Sequence, residues 1–180
     1  VLMSVHEAVE DEYGFAEILI ASFEDLYAGK LVAALDRQHP RDLFDVRDLL
    51  ANEGFTNELR EAFLIYLLSH NRPMFEVLSG RTKDLASEYR SGFEGMTSEP
   101  VTIEELVETQ SEMIQGLIWA MPREHREFLV GFEKGTPNWD LLQFPAVKKL
   151  PAVRWRQRNL DKVDGIRRNE LVTSLERALM

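Results

Sequence analysis

The run Ser22-Phe23-Glu24-Asp25-Leu26-Tyr27-Ala28-Gly29-Lys30-Leu31-Val32-Ala33-Ala34-Leu35-Asp36-Arg37-Gln38-His39-Pro40-Arg41-Asp42-Leu43-Phe44-Asp45-Val46 decides the fold. Ser22 is an N-cap residue with Asp25 three positions on, close to a capping box, and Phe23, Tyr27, Leu31 and Leu35 recur every fourth residue. The spacing predicts a helix to about Gln38. Pro40 suits the first turn of a second helix, which runs to about Glu53 with Leu43, Val46 and Leu50 as its apolar stripe and Gly54 as its stop. The two helices meet at a tight His39-Pro40 corner.

Working upstream, Phe15 to Ala21 carries Phe15, Ile18 and Ile20 between Gly14 and Ser22, which reads as one short strand. No second β run follows it, so this strand needs a partner that the downstream sequence does not offer. Working downstream, helices are expected over Asn57 to Ser69, just after Pro73, and over Lys83 to Phe93. The strongest begins at Thr102, with Glu105 at the capping-box position and Ile103, Leu106, Val107, Ile114, Leu117, Ile118 and Met121 as its apolar face, and ends at Pro122. Glu124 to Phe132 follows, closed by Gly135. Pro137, Pro145 and Pro151 then impose an extended connection before one or two helices from Trp155 onward. The fold expected is mainly α, an irregular multi-helix bundle with one short N-terminal strand. Its parts are residues 1–21 with that strand, 22–140 as the helical domain, and 141–180 as a basic helical tail.

The 180 residues carry a net charge of −10, which argues against a general nucleic-acid coat. The average conceals a split. Residues 1–140 hold 12 Lys and Arg against 27 Asp and Glu, whereas residues 141–180 hold 9 against 4, a net of +5 around Trp155. Such a tail either docks on the acidic body or receives an anionic partner. With no cysteine there is no disulfide or thiolate chemistry, in keeping with a reducing compartment. No apolar run reaches the roughly 18 to 20 residues of a spanning helix, and Val1 to Glu10 is no signal peptide. A soluble, cytoplasmic protein is expected.

The charged residues of the quoted run concentrate at the helix corner. Lys30 and Arg37 are seven apart, on one side of the first helix, with small Ala33 between them; on the second, Arg41 and Asp45 are i,i+4 and Asp42 and Asp45 are i,i+3. The pattern K-x6-R-x3-R-D-x2-D thus gathers three cations and two carboxylates. Cations at fixed spacing suit nucleotide phosphates, lysine as a point charge and arginine as a fork for two oxygens. The structural reading has Arg37 and Arg41 pairing with Asp42 and Asp45 to pin the two helices together.

The run from Leu26 to Val46, through Lys30, Ala33, Arg37, Arg41, Asp42 and Asp45, resembles a motif of the AbiEii/AbiGii nucleotidyltransferase toxins. These are bacterial members of the DNA polymerase β-like superfamily and the toxin side of type IV toxin–antitoxin and abortive-infection systems. Outside residues 15–50 the likeness is to a helical C-terminal region. The resemblance implies transfer of a nucleotide from an NTP, with magnesium, onto an acceptor such as tRNA, and a cognate antitoxin. It makes Lys30 a triphosphate contact and Asp45 the acidic catalytic residue, with Arg37, Arg41 and Asp42 lining the nucleotide pocket. The family's metal site comes from a Gly-Ser element followed by paired acids on a sheet, and no Gly-Ser occurs here. By the resemblance, the 180 residues read as the C-terminal part of such a protein, beginning mid-domain with residues 1–21 as the remnant of its α/β core (the last strand), inactive alone and with no metal ligands of their own.

Other chemistries lack support. His6, His39, His70 and His125 are scattered outside any zinc pattern, and neither a P-loop nor a GxGxxG element occurs. No serine sits in a nucleophile elbow. Trp119, Met113 and Met121, at helical spacing, are assigned to the core. A second function class remains beside the transferase: a non-catalytic module whose basic tail binds RNA or an acidic protein.

Overall fold

The computed structural model describes all residues, 1–180. The corner forms as the sequence dictates. Helix α2 spans Phe23–Arg37, with the Ser22 hydroxyl accepting from the Asp25 amide, and α3 spans Pro40–Asn52, with His39 Nδ1 accepting from the Arg41 amide and Pro40 in its first turn. Their inward stripes are Ala28, Leu31, Leu35, Leu43, Val46 and Leu49, all buried.

Upstream, the expected single strand is corrected to a pair. Residues Glu17–Leu19 (β2) align antiparallel with Leu2–Ser4 (β1), Met3 opposite Ile18, and Glu7–Tyr13 between them forms helix α1. Three residues are too few to display an alternating pattern, so Leu2–Ser4 gave no signal. The helix α1 gave none because it buries no residue and has no apolar face to read. The sheet stands off the core: Leu2, Ile18 and Leu19 are mostly exposed, and the first buried residue of the chain is Ala28.

Downstream lie α4 (Asn57–Leu68), α5 (Met74–Val77), α6 (Ala86–Gly92), α7 (Ile103–Ile114), α8 (Arg123–Lys134), α9 (Pro151–Leu160) and α10 (Gly165–Ala178), ten α-helices in all. Helix α2 packs against α3 and α4, α7 covers α3, and α10 lies on α8 and α5. One continuous apolar cluster runs from Ala28 to Leu179, with Phe63, Phe128 and Phe132 fully enclosed. Thr102 and Glu105 make the full reciprocal capping box that opens α7. The expected helix over Lys83 to Phe93 starts later, at Ala86, because the Lys83 amide is drawn to the Gln38 side chain and the Asp84 carboxylate caps Ala86. The expected run to Pro122 also changes character, with Gln115–Trp119 widening into a π-helical turn. Trp119, assigned to the core, is 59% exposed on that turn, while Met113 and Met121 are buried as expected. No helix is long and apolar enough to cross a membrane.

The basic tail packs on the body through Val153, Leu160, Leu171 and Leu175 and carries one buried guanidinium. Arg156 of α9 donates to the carbonyls of His70 and Arg72 and lies beside Glu133 of α8, a carboxylate only 2% exposed. Burial pushes the Glu133 carboxyl up, and the nearby Arg156 and Arg168 cations oppose that rise.

Candidate functional site

The motif side chains emerge from the buried stripes of α2 and α3. Between the two helices, Lys30 Nζ stands 3.0 Å from an Asp45 oxygen, and Arg37 Nη2 donates to Asp42 at 2.7 Å. Arg41 does not join them. The i,i+4 partnership with Asp45 expected for it is corrected: its guanidinium reaches the Gly92 carbonyl and the Met96 sulfur, holding the end of α6, while Asp45 faces Lys30 across the corner. Within the same first turn of α3, Asp42 turns to α2 and Arg41 to α6.

The site is open. The Lys30 and Asp45 side chains are 32% and 39% exposed, and Arg37 is 62% exposed. Lys30 also lies 5.4 Å above the Tyr27 ring, which supplies a second electron-rich neighbour. Arg37 forms part of the walls of two hollows. One, of about 420 Å³, is lined by Arg37, His39, Arg41, Asp42 and Glu88 and has no apolar lining residue. The other, of about 430 Å³, runs along α2 and α4 past Gly29, Ala33, Asp36, Tyr66 and His70. Gly29 permits this close approach, since a Cβ there would meet the Tyr66 ring at 3.2 Å. Ala33 lines the same hollow.

Several contributors were not visible in the motif. Asp36 is gripped by Arg72, with His70 at 3.6 Å, and Arg72 also holds Glu76. Gln38 lies at the corner with a left-handed backbone, φ +52. The only sequence signal for it was the tightness of the His39-Pro40 corner.

The chain matches a family model described as "Nucleotidyl transferase AbiEii toxin, Type IV TA system" over residues 1–156. It belongs to the AbiEii family. The match begins at residue 1, so the restriction of the likeness to a C-terminal part is not borne out. Searches of curated proteins and of solved structures return no match. Membership makes this a nucleotidyltransferase-like toxin and implies a nucleotide substrate and an antitoxin partner.

Enzymes of this AbiEii kind use a divalent metal, and the residues here do not fit one. No three Asp, Glu or His side chains converge. Asp45 faces Lys30, and Asp42 faces Arg37 with its second oxygen buried and unpartnered. Both carboxylates of the corner are taken by cations, and neither is offered to magnesium, which binds through one or two free carboxylates beside waters and substrate phosphates.

Proposed function

We propose that the α2–α3 corner is the cationic wall of a nucleotide pocket, serving transfer of a nucleotide from an NTP to an acceptor, with tRNA as the acceptor the resemblance points to. Lys30 and Arg37 contact the triphosphate, Arg41 and Asp42 complete the pocket, and Asp45 is the acid of the motif. The single observation that carries this reading is the open pairing of Lys30 with Asp45 and Arg37 with Asp42. Each cation lies in water-accessible space on one face of α2, where a phosphate oxygen can displace its carboxylate. Phosphoryl chemistry asks of its cations chiefly positioning and charge neutralisation, which half-exposed side chains on a rigid helix pair can supply.

The test is calorimetric titration of the 180-residue chain with inorganic tripolyphosphate. Lys30→Met with Arg37→Met should weaken binding at least tenfold relative to the unaltered chain. Equal affinity, or no binding by the unaltered chain, refutes the assignment.

A second reading has its own observation. On α9, Arg154 and Arg158 flank Trp155, which is 58% exposed, beside a hollow of about 230 Å³, and neither arginine enters the ion pairs that engage Arg167 and Arg168. An exposed indole between free cations suits RNA, or an acidic protein surface. In the same titration with a single-stranded RNA, Arg154→Glu plus Arg158→Glu should weaken binding and flatten its salt dependence. Unchanged binding returns the tail to a structural role.

A further inference from the structure

Gln38 is the single non-glycine residue with a positive φ, at φ 52 and ψ 44, and it ends α2 immediately after Arg37. Asparagine or glycine adopts this backbone more readily. What glutamine adds is reach. Its side chain is buried and its amide makes four hydrogen bonds: Nε2 donates to the carbonyls of Leu35 at 3.3 Å and Arg81 at 2.6 Å, and Oε1 accepts from the Lys83 amide and from Gln110 Nε2, both at 2.7 Å. One amide thereby fastens the 81–83 segment and α7 to the corner. The consequence falls on Arg37. With its amide held on Gln38, Lys83 turns its ammonium to the Asp36 and Arg37 carbonyls, at 3.4 and 3.0 Å, so the backbone that carries the Arg37 guanidinium is clamped from both sides.

We infer that Gln38 is a positioning residue, which fixes the direction of Arg37 so that its guanidinium stands in the phosphate-facing wall. The inference rests on the nucleotide-pocket reading above. Gln38 touches no phosphate itself; it acts through Arg37.

The experiment compares Gln38→Gly, which removes all four side-chain bonds and relieves the backbone, with Gln38→Glu, which keeps the length and loses the two donors. Gln110→Ala, which removes only the tie to α7, is the control. Two readouts are taken on the full chain: the order parameter of the Arg37 Nε–Hε group by NMR without ligand, and the affinity for inorganic tripolyphosphate. In both Gln38 variants the Arg37 group should become mobile, with an order parameter below about 0.6, and affinity should fall about tenfold. In Gln110→Ala the order parameter should stay above about 0.6 and the affinity within twofold, although the melting temperature drops. An Arg37 order parameter unchanged in the Gln38 variants overturns the inference, as does equal loss in Gln110→Ala, which marks mere loosening of the corner. If Gln38→Gly does not fold, Gln38→Glu decides. If the unaltered chain binds no tripolyphosphate, the pocket reading fails by itself and the Arg37 signal still decides the role of Gln38.

Discussion

Removal of the Lys30–Asp45 pair measures whether the corner is pinned or poised. At 3.0 Å, with the partners 32% and 39% exposed, Coulomb attraction in water is worth on the order of 1 kcal/mol. Ordering a four-carbon lysine stem and screening by salt remove part of it, leaving a coupling of about 0.2–1 kcal/mol. In a chain of this size, each kcal/mol shifts the melting temperature by about 2–4 °C. A double-mutant cycle of Lys30→Met and Asp45→Asn, read by urea denaturation, should therefore give a coupling below about 1 kcal/mol. Such a pair can open to admit a phosphate at little cost. A coupling above about 2 kcal/mol would mean that Lys30 is committed to holding α3, and the argument that it can turn to a triphosphate would be wrong.

Two further outcomes follow from buried groups. Burial holds the His125 imidazole below its ordinary value, so the unfolded chain takes up a proton that the folded one refuses, and stability falls as the pH drops from the ordinary histidine value through the folded one. Glu133 has the opposite sign: the folded chain binds its proton more tightly, so stability rises as pH falls from its raised value toward the ordinary carboxylate range, and Glu133→Gln should flatten that rise in pH-dependent urea melts. Gly116→Ala would place a Cβ 2.3 Å from Phe55 Cε2. The overpacking cost of about 1–3 kcal/mol exceeds the helix gain of about 0.5–1 kcal/mol, so melting should fall by a few degrees. Phe55→Leu in the same chain should restore it, and failure to do so would place the strain elsewhere.

The helices at the corner were legible because each carries local instructions. Ser22 and Pro40 set starts, and the fourfold recurrence of Phe23, Tyr27, Leu31 and Leu35 set a face. The Thr102–Glu105 box was equally plain. Two kinds of element were not legible. The β1–α1–β2 unit buries almost nothing, so no apolar period marked α1 and three residues could not announce β1. The late start of α6 depends on a bond from Lys83 to Gln38, 45 residues away. Trp119 was misplaced because a π-helical turn rotates the face that an α-period assumes.

The sequence by itself determined the helical class, the corner and the placing of Lys30 and Arg37 on one side of α2, because helical period and capping act over four residues or fewer. Only the tertiary structure decided which carboxylate meets which cation, and that Arg41 holds the end of α6 instead of pairing with Asp45. It also decided that Gln38 governs the corner. Those choices turn on which helices pack together, and packing is set by how all the buried faces close over one core, which no local spacing encodes.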